Sequence, residues 1–142
     1  MFDLFAYRFG GPTNVTIDGV IYGVRATVEE IHVNEGVVNI EYGTFDGCPR
    51  LHTVVLPQSL RTIGHRAFCY CSALRSINIP PSVTTIGEAA FQNMSSLQTI
   101  ELPSSVTSIG DNAFTSATSL TTIKVDSNNP NYSSDNYGVL FN

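Results

Sequence analysis

The sequence predicts a solenoid, mostly β with short helical turns, of about five 23-residue coils behind an N-terminal β-hairpin cap. Three observations lead there. Like residues recur every 23 positions with no insertion: Gly64, Gly87 and Gly110; Phe68, Phe91 and Phe114; Leu74, Leu97 and Leu120; Ile77, Ile100 and Ile123. One period earlier a degenerate copy keeps Val37, Ile40, Phe45, Leu51 and Val54 in the same columns, with Glu41 in place of the glycine. A unit this short cannot bury an apolar face by itself, so equivalent residues of successive coils must stack into ladders of Phe, Leu and Ile along one core.

The chain divides into an N-terminal segment and hairpin cap over 1–25, repeats over 26–125, and a C-terminal loop with a partial repeat or cap over 126–142. In the first part, Val15 to Val24 holds two β-rich runs around Asp18-Gly19, a strong hairpin signal. The repeats supply five strand segments: Val28 to Val33, Leu51 to Leu56, Leu74 to Ile79, Leu97 to Leu102 and Leu120 to Val125. Strand alternation sends the fourth and sixth residues of each segment inward and the third and fifth to solvent. Pro57, Pro80 and Pro103 follow or end these strands, where a missing N–H costs the ladder little. The group Val83 to Ile86 is expected to form the opposite wall, with Gly87 allowing the turn into G-x-x-A-F. At a strand spacing of ~4.8 Å, the stacked coils make a body roughly 20 to 25 Å long. Tyr132 to Phe141 is a candidate second cap; without one, the last coil offers Leu120, Ile123 and Val125 to another molecule.

Composition narrows the function classes. At 142 residues the chain has room for one core. Charged residues make up 13%, against roughly 25% in an ordinary globular protein, while 28 residues are Ser or Thr, so the surface is largely neutral and hydroxylated. A net charge of −5, with Lys124 the single lysine, provides no basic stripe for nucleic acid or anionic membrane. No apolar run reaches membrane-spanning length, and Met1 to Phe9 lacks the basic region and cleavage site of a signal peptide. Three cysteines do not make a disulfide framework.

The stretches LPQSLRTIGHRAFCYCSALRSINIP, IPPSVTTIGEAAFQNMSSLQTIELP and LPSSVTSIGDNAFTSATSLTTIKV closely resemble the leucine-rich repeats of the BspA type, found in bacterial and protist surface proteins. The tail DSNNPNYSSDNYGVLFN also resembles a segment that introduces the next hairpin in longer arrays of that family. The resemblance implies a leucine-rich-repeat solenoid acting as a protein-binding or adhesion module. It further implies a cell-surface or secreted location and a protein ligand of host, extracellular-matrix or neighbouring-cell origin.

Other chemistry finds little footing. Cys48 and Cys71 share a column with Met94 and Ala117, which reads as a buried thiol ladder, although stacked coils could bring the two within disulfide reach. Cys69-Tyr70-Cys71 lacks the second pair and the nearby His that zinc needs. His32, His52 and His65 occupy different columns, with no nucleophile elbow beside them. The adjacent carboxylates Glu29 and Glu30 point to opposite faces of a strand, a poor start for paired acid–base work. The sequence thus implies no enzyme, no metal and no cofactor. Three N-x-[ST] sequons, at Asn14, Asn93 and Asn131, are near the number a chain this rich in Asn, Ser and Thr carries by chance.

The informative surface is the row of outward strand positions, which by resemblance forms the ligand face. One column reads Glu30, Thr53, Ser76, Thr99, Thr122; its partner reads His32, Val55, Asn78, Glu101, Lys124; an adjoining one reads Glu29, His52, Arg75, Gln98, Thr121. The candidate partner-binding residues are Glu30, His32, His52, Val55, Arg75, Asn78, Gln98, Glu101, Thr122 and Lys124. Varied outward residues over an invariant core are one way to write a binding surface, though plain surface drift gives the same pattern. The alternative function is a self-assembling element, a homo-oligomer stacked end to end through its terminal coils.

Overall fold

The structure is a computed structural model that describes residues 14–134 and the backbone of 140–141; Met1 to Phe9 lies outside the described residues. It opens with an antiparallel hairpin of β1 (Asn14–Ile17) and β2 (Val20–Val24). Asp18 and Gly19 both take positive φ, 48° and 79°, the tight turn their identities called for. Val15 and Ile17 turn inward and join the core. From there the chain winds into a β-solenoid of about four turns, with no helix among the described residues.

Each turn of the solenoid contributes to three walls. The first carries β3 (Glu30–His32), β5 (Thr53–Val55), β8 (Thr99–Leu102) and β10 (Thr122–Val125), all parallel. The second is a continuous four-stranded parallel sheet of β4 (Asn39–Ile40), β6 (Thr62–Ile63), β7 (Thr85–Ile86) and β9 (Ser108–Ile109). Register on both walls is 23 residues, so the sequence period is the structural period.

The third wall corrects the expectation of short helices. Residues 42–47, 65–70, 88–93 and 111–116 form stacked turns. Within a turn, alternate amides bond back three residues, as Ala67 N–H does to Gly64 O at 3.2 Å and Cys69 N–H to Arg66 O at 3.2 Å. The intervening amides leave the coil instead: Arg66, Phe68 and Tyr70 donate to Glu88, Ala90 and Gln92 carbonyls at 2.8 to 3.0 Å. The coil before and the coil after repeat this pattern, and all these bonds run from one coil's N–H to the next coil's C=O. The geometry needs left-handed backbone at two columns, Gly43/Arg66/Ala89/Asn112 and Gly47/Tyr70/Asn93/Ser116, all at positive φ. A helix cannot accommodate such residues, which is why turns replace it.

The core lies between the walls. Phe45, Phe68 and Phe91 are fully buried and stack face to face, with ring centroids 4.7 and 5.5 Å apart, and Phe114 continues the stack at 5.6 Å. Leu51, Leu74 and Leu97 form a second buried ladder, and Ile40, Ile63 and Ile86 a third. The last coil is looser: Ile109, Phe114, Leu120, Ile123 and Val125 are only partly buried.

Beyond β10 the tail folds back over the second wall. Asn129 Nδ2 donates to Pro103 O at 3.0 Å and Val106 O at 2.8 Å, and Asn131 Nδ2 donates to Thr107 O at 3.0 Å. Tyr132 Oη accepts from Ile109 N–H at 2.9 Å. These side chains meet backbone groups that another coil would otherwise satisfy. Short strands β11 (Ser133–Ser134) and β12 (Leu140–Phe141) then pair antiparallel.

Candidate partner-binding face

Outward alternation on the first wall places the candidate side chains in solvent. Glu30, His32, His52, Val55, Arg75, Asn78, Gln98, Glu101, Thr122 and Lys124 are all exposed, over a floor of Ile31, Val54, Ile77 and Ile100 that is buried. Glu30 stands level with Thr53 and His32 with Val55, while Thr122 is level with Thr99 and Lys124 with Glu101. Asn78 bridges to Glu101 in parallel register, so Asn78, Glu101 and Lys124 form one row. Lys124 Nζ reaches Glu101 Oε1 at 3.4 Å, and Arg50 pairs with Glu29 at the rim. His52 Nδ1 lies 3.1 Å from Thr53 Oγ1.

The wall is divided, where five continuous strands were expected. Residues 74–79 form no strand beyond the single bridge at Asn78, and no backbone hydrogen bond joins them to β5 among the described residues. Ser76 and Asn78 fill the outward positions here, and Asn fits a pleated strand poorly compared with Thr or Val. A cleft of about 260 Å³ opens at the break between Val54, Val55 and Leu56 on one side and Asn78, Ile79 and Pro80 on the other. Val55, 47% exposed, is the apolar member of the candidate set and sits at its edge. The ten residues therefore form two patches, one on β3 and β5 and one running from Arg75 to β10.

Sequence reasoning overlooked a buried polar cluster under the hairpin. Arg25, only 5% exposed, donates through Nη1 to Asp46 O at 3.0 Å and Gly43 O at 3.4 Å, and through Nη2 to Asn14 O at 3.4 Å. Asp46 is fully buried, and its Oδ2 accepts from Arg66 Nε at 3.1 Å. A signal for Arg25 existed: it stands 23 residues before Cys48, one place ahead of the Cys48, Cys71, Met94, Ala117 column. A guanidinium there supplies donors to turn carbonyls that have no earlier coil above them. All three cysteines are buried and free. Among the described residues no group of three His, Cys, Asp or Glu side chains is arranged to hold a metal.

A stack of 23-residue coils with an exposed strand face defines a repeat scaffold. The model of the BspA type leucine-rich repeat region matches residues 18–137 in six copies, and the chain belongs to that family. Among solved structures it is similar to a leucine-rich cell surface protein from Faecalibacterium prausnitzii, with 26% identity and TM-score 0.64 over 80% of this chain and 40% of that one. A leucine-rich repeat protein from Bacteroides ovatus shares 31% identity at TM-score 0.64, over 79% of this chain and 32% of that one. The leucine-rich repeat protein of T. pallidum shares 32% identity at TM-score 0.57, over 77% of this chain and 55% of that one. The chain thus spans about a third to just over half the length of these three relatives. No curated protein matches it. No helix among the described residues is long and apolar enough to cross a membrane.

Proposed function

We propose that the chain is a non-catalytic protein-binding or adhesion module that recognises a protein partner through the exposed strand face. The observation that carries this reading is the registered row Asn78, Glu101 and Lys124, three exposed side chains of different chemistry set in line across successive coils. At Glu101 and Lys124 the backbone is already fixed by the β8–β10 ladder, which lowers the entropy lost on binding there. The F. prausnitzii relative is a cell surface protein, which supports a host or extracellular-matrix protein as the partner class. The face lacks an exposed aromatic anchor, so affinity per copy is modest and avidity across copies supplies the rest. End-to-end stacking is the weaker reading, because the hairpin and Arg25 occupy one of the two ends it needs.

The test is a triple variant, Asn78→Ala, Glu101→Ala and Lys124→Ala, assayed against an immobilised panel of extracellular-matrix and host surface proteins. Binding by the parent chain is expected to disappear in the variant while Tm stays nearly unchanged. Binding that survives the three changes moves the site elsewhere, and a large drop in Tm shows that these side chains serve the fold.

A further inference from the structure

We propose that Cys48 and Cys71 are a modification site, at which a small-molecule disulfide converts the two thiols into an intramolecular bridge between successive coils. The two residues are 23 apart in one column and take the same place in stacked turns: each N–H bonds back to a phenylalanine carbonyl at 3.2 Å, Cys48 to Phe45 and Cys71 to Phe68. Immediately beside them Gly47 N–H crosses to Cys69 O at 2.7 Å, and the Phe45 and Phe68 rings are the closest pair in the stack at 4.7 Å. Neighbouring backbones at ~4.8 Å lie within the Cα separation a disulfide accepts, about 4.4 to 6.8 Å.

The Cys71 side chain reaches into the turn that carries Cys48. Cys71 Sγ donates to Phe45 O at 3.1 Å, the same carbonyl that accepts the Cys48 N–H. Arg25 Nη1 stands 3.8 Å from Cys48 Sγ. The two sulfurs are chemically unequal: the neighbouring Cys71 thiol, with Arg25 assisting against burial, draws the Cys48 pKa down, whereas burial pushes the Cys71 thiol well up. Cys48 is therefore the first nucleophile. Cys69 belongs to another column, where its sulfur meets Gln92 Oε1 at 3.8 Å.

The chemistry balances with the reagent as oxidant. Cys48, as thiolate, attacks one sulfur of the small disulfide, making a mixed disulfide and expelling one thiolate. Cys71 gives up its proton and attacks the Cys48 sulfur, forming the protein S–S bond and expelling the second thiolate. Two protein S–H bonds and one reagent S–S bond are lost; one protein S–S bond is formed, and the two reagent thiols carry away the two protons. Both residues are fully buried and Arg25 lies against the Cys48 sulfur, so the reagent enters through a local opening that displaces Arg25, and bridging is slow.

The full chain incubated with oxidised glutathione, then alkylated and digested, tests the proposal. The expected product has lost two hydrogens, carries a single alkylated cysteine at Cys69 and yields a peptide joining Cys48 to Cys71. Its Tm rises by roughly 5 °C or more and returns on reduction. Cys69→Ser should bridge like the parent, and Cys71→Ala should not; alanine already occupies that column at position 117. To give the reagent access, the incubation is repeated a few degrees below Tm. Three alkylated cysteines there, a mixed glutathione adduct that never resolves, or a bridge through Cys69 would each overturn the proposal and leave the pair as apolar filling.

Discussion

Gly87 lies so close to the preceding coil that a Cβ on it would stand 2.6 Å from His65 N and 2.7 Å from Gly64 C. Gly64 and Gly110 meet the same obstacle, at 2.5 Å from Ile40 O and 2.3 Å from Glu88 N. The recurring glycine is thus needed for close backbone approach, and the turn geometry that its position suggested falls instead on its neighbours two and six residues later. Glu41 occupies the same column in the first copy and is exposed. Its side chain is tolerated because no repeat coil precedes it. Gly87→Ala is expected to cost about 2 to 3 kcal/mol, as overpacking against rigid backbone does, while Glu41→Ala changes little; urea unfolding of both variants checks the contrast. The column itself was visible in the sequence by its spacing, but its reason was not, since a glycine looks the same whether it serves a turn or a contact.

At the scale of the element, the Phe ladder runs unbroken from Phe45 to Phe114. Phe68 and Phe91 are each sandwiched between two rings, so removing either leaves a hole lined on both sides. Phe91→Ala is expected to destabilise by roughly 3 to 5 kcal/mol, read by chemical denaturation with an unchanged m-value; a negligible loss would contradict the stacked core. The strands and the ladders were legible because Phe, Leu and Ile recur in fixed columns. The turn wall was not: Arg66, Ala89 and Asn112 share one left-handed conformation and no side-chain chemistry, and only Gly43 signals it. The division of the first wall was equally hidden, because Ser76 and Asn78 keep the repeat's spacing while weakening its strand. For the candidate face, alternation was enough to put all ten side chains outside, whereas the Arg25 cluster depends on contacts across 18 to 23 residues that no local pattern displays.

For the whole molecule, burial falls from the middle of the stack toward its C-terminal end. Phe91, Leu97 and Ile100 are sealed, and their successors Phe114, Leu120 and Ile123 are not. In a solenoid each coil is held mainly by its neighbours, so stability follows position along the axis. Amide hydrogen exchange is expected to be slowest at Phe68 and Phe91 and faster through Ile123 and Val125. Uniform protection would mean that the chain unfolds as one block in spite of its looser final coil.

The turn wall also gives the solenoid a direction. Because its inter-coil bonds all point the same way, their peptide dipoles add along the stack instead of alternating, as those of a helix do. The wall is electrically polar: carbonyl oxygens point toward its beginning, where Arg25 donates to that of Asp46, and amides point toward its finish, where Asn112, Phe114 and Ser116 stand in the columns of Ala89, Phe91 and Asn93. Apposed like ends would set donor against donor or acceptor against acceptor. That polarity disfavours a symmetric contact between like ends and favours a head-to-tail one.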